Sequence, residues 1–310
     1  MKQMMSKDGY ILPDKIRFFL FIFFFNFLTF IYSQQETFLA LYREQMNFIN
    51  PAYTSFDENI TFILVTKNQW VSIEDAPKTQ IFSFSNERKN NLGIGTSIYS
   101  KSNFAEKYNV INIDFSYKLK VSEIQNLILG IKAGSNFFKT NFSSFLNNSN
   151  DPALDNVSTF NPNFGVGVLF TSNKYWISIS IPRIFENNLN ETFKNSGFVV
   201  NYYSGGLTLN LNDNLLIKPN FILRKPKGYS SIIDINNWFS FKNIYDIGML
   251  YRTNNSYALM ATTNLNGLVL GYAYESNFNT QNSSIKLNSH EILLKFVLKN
   301  KNVQSEDLEE

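Results

Sequence analysis

Apolar and polar residues alternate with a period of two along most of the chain after residue 60. In Val110–Leu119, Ile111, Ile113, Phe115, Tyr117 and Leu119 share one face, and Asn112, Asp114, Ser116 and Lys118 the other. Ile128–Phe138 sets Leu129, Ile131, Ala133 and Phe137 against Gly130, Lys132, Gly134 and Asn136. Tyr203–Leu211 sets Tyr203, Gly205, Leu207, Leu209 and Leu211 against Ser204, Gly206, Thr208 and Asn210. The last run, His290–Leu298, sets Ile292, Leu294, Phe296 and Leu298 against Glu291 and Lys295. Successive side chains of an extended strand point to opposite faces, so each run predicts a strand with one apolar and one polar surface. A weak alternation repeated many times is the pattern of strands crossing a bilayer in a barrel.

Strands are predicted over 60–71, 79–86, 92–100, 109–119, 127–138, 163–170, 175–181, 202–211, 215–224, 230–239, 244–252, 256–264, 268–275 and 288–298. That is about 14, an even number, as bacterial single-chain barrels require. Connections after odd-numbered strands include every long one, notably 139–162, 182–201 and 276–287. Those after even-numbered strands are short and built from turn residues such as Asn212-Asp213-Asn214 and Asn264–Gly267. Outer-membrane barrels have short periplasmic turns and longer external loops, so this parity predicts both chain ends on the periplasmic side. Two stacked layers of a soluble sandwich, the structural alternative, give no reason for it. Hydrocarbon cannot satisfy a bare sheet edge, so the first and last strands are expected to pair. Glycines at Gly93, Gly95, Gly130, Gly134, Gly165, Gly167, Gly205 and Gly206 fit a strongly curved wall. The fold class expected is therefore all-β, a transmembrane up-and-down antiparallel barrel.

The N-terminal region follows other periodicities. Phe18–Tyr32 is an apolar run of about 15 residues preceded by Lys15 and Arg17, shorter than the ~20 a spanning helix needs and suited to a signal-peptide core. Ser33 before Gln34-Gln35 supplies a small residue for cleavage, giving 1–33 as signal peptide; an uncleaved anchor is the alternative. In Thr37–Phe48, Phe38, Leu41, Tyr42, Gln45 and Phe48 fall at helical spacing until Asn50-Pro51 ends the run. Residues 34–59 thus read as a short helix or irregular lid, packed on a barrel rim or closing the lumen. Residues 60–298 are the barrel, and 299–310 form a charged tail ending Glu306-Asp307-Leu308-Glu309-Glu310.

Composition narrows the chemistry. There is no cysteine, so no disulfide framework and no thiolate zinc site. A single histidine, His290, excludes multi-histidine metal clusters. Net charge is +3, of which four cations and two anions before residue 34 contribute +2, leaving no concentrated basic face for nucleic acid. The 31 phenylalanines and 16 tyrosines fit a lipid-facing surface, but also a codon bias that raises Asn, Lys, Ile and Phe together. Trp70, Trp176, Trp238, Tyr117, Tyr175, Tyr251 and Tyr272 lie within strands or near strand ends, where an aromatic belt and packing are both open readings.

No catalytic, cofactor or metal residue emerges. Ser289 and His290 are neighbours on one strand and point to opposite faces, against a lipid hydrolase, and Ser204 is the other serine that could be paired with the imidazole. Glu74 and Asp75 are sequence neighbours in a loop and do not converge across a bond as glycosidase carboxylates must. Asp151 and Asp155 lack the glycine and terminal glutamate of an EF-hand. Gly93-Ile94-Gly95 sits inside a strand rather than ahead of a helix, so it is no dinucleotide fingerprint.

One stretch carries a family resemblance. Pro77 has no N–H for a ladder, so Asp75-Ala76-Pro77 breaks Ile60–Val71 from a second strand in which Phe82 and Phe84 oppose Ser83 and Ser85. Gln69-Trp70-Val71, Ile73 and Ala76-Pro77-Lys78-Thr79-Gln80 resemble the signature of the PorP/SprF family, outer-membrane proteins of the type IX secretion system. Asn50-Pro51-Ala52-Tyr53 resembles that family's other N-terminal mark, and Ser289-His290-Glu291-Ile292 its last strand. Ser72 and Glu74 stand where relatives usually carry glycines. The resemblance implies a non-enzymatic barrel in the outer membrane of a Gram-negative bacterium, without cofactors. It implies a role in type IX secretion and gliding motility, supporting export or surface anchoring of a large adhesin with a C-terminal sorting domain. Implied partners are outer-membrane lipid, that adhesin, and the periplasmic peptidoglycan-binding and ring components of the machine. Loops 139–162, 182–201 and 276–287 would face the secreted partner; the short turns and the chain from Gln34 onward would face the periplasm. The alternative is a passive channel for small or hydrophobic solutes.

Overall fold

The apolar files face outward. On the strand Glu106–Ser122, Ile113 is 50% exposed and its neighbour Asp114 is 0% exposed. The same contrast runs through the sheet, so the surface expected to meet lipid is apolar and the interior is lined by the polar file. The computed structural model describes residues 38–71, 73–88, 90–104, 106–140, 158–185, 199–278 and 288–299. The signal segment, the Asp151 and Asp155 loop, most of the two other long loops and the tail from residue 300 lie outside them.

In order, the strands are β1 (Ile60–Gln69), β2 (Lys78–Glu87), β3 (Leu92–Asn103), β4 (Glu106–Ser122), β5 (Gln125–Thr140), β6 (Ser158–Ser172), β7 (Tyr175–Ile181) and β8 (Val200–Leu207). There follow β9 (Leu209–Asn212), β10 (Leu215–Ile217), β11 (Asn220–Pro226), β12 (Ile232–Phe241), β13 (Tyr245–Arg252), β14 (Ser256–Leu265), β15 (Leu268–Asn277) and β16 (Ser289–Leu298). Only Thr208 separates β8 from β9, and only Lys218-Pro219 separates β10 from β11. Pro219 has no N–H to give, and its carbonyl still accepts from Leu207 N at 2.9 Å. Each pair is one interrupted strand, giving the expected closed barrel of 14 antiparallel strands. β1 pairs with β16 from Ile60↔Leu298 to Gln69↔Ser289, and β11 joins β8 to β12, so the ring has no bare edge there. Two layers facing each other across a dry interior are excluded.

Parity survives with shifted boundaries. One end carries 88–91, 123–124, 173–174, 213–214, 242–244 and 266–267, none longer than the first. Asn266 and Gly267 both have positive φ, 52° and 98°, the conformation a two-residue turn needs to match the twist of paired strands. The other end carries 70–77, 141–157, 182–199 and 278–288, with the shorter 104–105, 227–231 and 253–255. β4, β5 and β6 run farther toward that end than the alternation predicts, because polar residues such as Lys107, Lys139 and Asn161 continue the ladder past the apolar band.

Residues 38–55 do not sit on the rim. They lie inside the ring as a plug of single turns: a 3₁₀ turn at Tyr42–Gln45, a helical turn at Met46–Ile49 and a second 3₁₀ turn at Pro51–Ser55. Asn50 is extended before Pro51, as a residue preceding proline must be, and its Oδ1 accepts from Ala52 N at 2.9 Å. The apolar residues at helical spacing are covered by the wall. Leu41, Tyr42, Met46 and Ile49 pack with Ile63, Val65, Ile81, Trp238, Leu250 and Leu293, which explains why the inward file is not wholly polar. Among the described residues no helix is long and apolar enough to cross a membrane.

Candidate functional site: the plugged lumen

The plug is held at three levels. At the long-loop end, six charges on six strands form one chain of contacts. Glu291 pairs with Lys67 at 3.0 Å, Lys67 with Glu275, Glu275 with Arg252, Arg252 with Asp234 at 2.9 Å, and Asp234 with Arg224 at 3.0 Å. All six are buried and lie near the loop-side ends of their strands. They grip the plug chiefly by its main chain. Both Glu291 oxygens accept from Ala40 N, at 2.7 and 2.9 Å, and one also accepts from Leu41 N at 3.0 Å. Lys67 Nζ donates to Phe38 O at 2.8 Å, and Arg252 to Leu39 O at 3.5 Å. The Arg224 guanidinium lies 4.2 Å from the centre of the Phe38 ring, which also stacks on Tyr202. A carboxylate on two consecutive backbone N–H groups is a charge-assisted bond in a site shielded from water, where it is stronger than in solvent.

In mid-lumen, Tyr42 donates to Asn220 Oδ1 at 2.8 Å, Phe48 stacks on Tyr99 at 5.2 Å, and Lys132, paired with Asp114 at 2.7 Å, reaches Asn47 O. Glu44 pairs with Lys295 at 3.1 Å, and Arg43 lies against Trp238. Toward the short turns, Thr54 bonds Ser116 at 2.6 Å and Ser55 bonds the same hydroxyl. There the wall is cut away by glycine. A Cβ on Gly130 would fall 2.3 Å from Ala52 N, one on Gly167 1.9 Å from Asn50 Oδ1, and one on Gly93 2.2 Å from Ser55 Oγ. Gly95 clears Thr54 in the same way. Curvature and ordinary strand glycines are both open from sequence; at these four positions the glycines make room for the plug.

The residues singled out by resemblance fall into three groups. Asn50, Pro51, Ala52 and Tyr53 are the glycine-seated turn: Asn50 also donates to Val168 O at 3.2 Å, and Tyr53 meets Trp176 edge-on. Gln69, Trp70, Ala76, Pro77, Lys78, Thr79 and Gln80 brace the long-loop rim. Gln69 N donates to Pro77 O, Trp70 N to Asn288 O, and Phe104 N to Asp75 O, tying together three connections. Trp70 leaves the strand at φ 50°, and Asp75 takes φ 56°, both left-handed. Thr79 points inward, while Lys78 and Gln80 are exposed. At the last strand, Glu291 grips the plug. His290 points outward, where its Nδ1 is hydrogen-bonded with the Tyr272 hydroxyl at 2.7 Å. Ser289 is on the inner face, and Ser204 pairs with Ser178 at 2.7 Å, so neither serine meets the imidazole.

The aromatics divide between the two readings. Tyr117, Tyr175, Tyr251 and Tyr272 are exposed on the outer surface, but Trp176 and Trp238 face inward onto the plug. Their indoles occupy space left by small wall residues: Gly206 lies under Trp176 and Gly248 under Trp238. Sequence reading missed the roles of Lys67, Glu275, Arg252, Asp234 and Arg224. Their signal was a charge on the polar file near the loop-side end of a strand, five times over and a sixth at Glu291. Among the described residues no group of three or more histidines and carboxylates converges as a metal site.

Comparison with known proteins places this geometry. No curated protein matches the chain. Solved structures resemble it in fold at low identity. The CymD monoaromatic hydrocarbon channel aligns with TM-score 0.49 and 9% identity over 84% of this chain and 94% of that one. The Pseudomonas putida toluene transporter TodX gives 0.47 and 8% over 83% and 94%, and a Pseudomonas aeruginosa FadL homologue 0.44 and 13% over 82% and 93%. The family model described as type IX secretion system membrane protein PorP/SprF matches residues 31–296, nearly the whole barrel with its plug. The chain therefore belongs to the PorP/SprF family of type IX secretion system membrane proteins, and it is an outer-membrane β-barrel.

Proposed function

We propose that this barrel is a non-enzymatic docking component of type IX secretion and gliding motility, supporting export or surface anchoring of a large adhesin-like partner. The observation that carries this reading is the filled lumen. A conduit needs a continuous water path, whereas here the inner wall holds the chain's own residues 38–55 at three levels along the barrel. What remains for interaction is the two rims. The long loops 139–162, 182–201 and 276–287 would meet the exported partner, which carries a C-terminal sorting domain. The short turns would meet the periplasmic peptidoglycan-binding and ring components. A passive channel for small or hydrophobic solutes, the competing reading, requires the plug to leave. The test is affinity isolation from native outer membranes, with conductance of the purified barrel in planar bilayers. Co-isolation of a large surface protein with silent bilayers is expected. A barrel that isolates alone and conducts steadily would reverse the assignment.

A further inference from the structure

We infer that the loop-side half of the lumen is a peptide-binding site in its own right, which reads the main chain of a segment entering a turn plus one aromatic side chain. Its resident occupant is Phe38–Leu41. The inference stands apart from the identity of any secretion partner. It rests on what the wall presents and what it touches. The hydrogen bonds to the segment go to backbone atoms: Glu291 accepts from two N–H groups, and Lys67 and Arg252 donate to two carbonyls. Such contacts are indifferent to sequence. Arg224, over the Phe38 ring, asks only for an aromatic group at the first position, with Tyr202 as its second wall. Ala40 is wholly buried, so the third position must be small.

The cradle is also complete without the segment. Lys67 is held by Glu275, Arg252 by Glu275 and Asp234, and Arg224 by Asp234. The wall charges are thus aimed by one another rather than by the plug, and Glu291 keeps Lys67 as its partner at 3.0 Å. A binding site organised in this way survives loss of its occupant. Its ligand class is a short peptide entering a turn, with an aromatic residue followed by an apolar and then a small one, taken in trans when this chain's own segment is displaced.

Ala40→Pro removes the N–H that Glu291 accepts and leaves every cradle side chain in place. Phe38→Gly, which empties the aromatic position, is the second variant should the first not fold. A fluorescent peptide copying residues 38–49 is titrated against wild-type and variant barrels in detergent, with retained heat-modifiable migration as the check on folding. Tethered in cis, the wild-type segment competes at about millimolar effective concentration, so the variants should bind the peptide at least about tenfold more tightly. A peptide N-methylated at the amide corresponding to Ala40 should not bind. A folded variant that takes up neither peptide overturns the inference. So does one that binds both equally, or a wild-type barrel that binds as well as the variants.

Discussion

Glu291→Ala should unlatch the plug while the barrel stays closed. The substitution strips the acceptor from Ala40 N and Leu41 N and takes one partner from the buried Lys67 ammonium. Removing one member of a buried pair costs about 3–5 kcal/mol, because the group left behind stays desolvated. Lys67 retains Glu275, which moderates the loss, but the two amides lose the carboxylate that accepts from them. The β1–β16 ladder uses backbone groups and is untouched by the side chain. The expected result is rapid proteolytic cleavage within residues 38–56 and fluctuating conductance, with heat-modifiable mobility unchanged. Protease resistance and silence equal to wild type would show that Glu291 does not hold the segment.

Gly130→Val attacks the same plug from the other end. Any Cβ there lands 2.3 Å from Ala52 N and 2.5 Å from the Pro51 carbonyl carbon. These are backbone atoms that no rotamer change can move. Overpacking of this kind costs about 1–3 kcal/mol or more, and here either Asn50–Ser55 or the wall must shift. The strand itself should tolerate valine, since β-branched residues suit extended chain. Displacement of the Asn50–Ser55 turn without loss of the ring is therefore expected, read as new reactivity of a Thr54→Cys reporter toward a soluble maleimide. Unchanged protection of that reporter would mean the turn does not rest on Gly130.

The wall was legible because a strand's periodicity reports directly on which face meets which solvent. Ile111 through Leu119 and Ile292 through Leu298 were assigned to one side by alternation alone, and lipid is the only surroundings in which the apolar file of every strand can point away from the molecule. Loop parity added orientation, since it depends on connection length rather than on any single residue. The plug was legible only as a helix-like stretch. Spacing of Phe38, Leu41, Tyr42, Gln45 and Phe48 says that they share a face, but not what covers it, and the covering residues belong to strands far along the chain. Trp176 and Trp238 stay open in the sequence for a related reason: an indole near a strand end suits a membrane interface or a lumen equally. The six-charge belt was invisible because its partners meet only after the ring closes, as in Lys67 with Glu275 and Glu291.

One disulfide tests the whole arrangement. The chain has no cysteine, so Ser55→Cys with Ser116→Cys places the only two thiols where two hydroxyls now touch, one on the plug and one on the inner face of β4. In native outer membranes under mild oxidation the pair should cross-link nearly completely, while Ser55→Cys with Tyr117→Cys, aimed at the outer face, should not. Cross-linking of the outward pair, or none with Ser116, would contradict a lumen filled by the chain's own N-terminal segment.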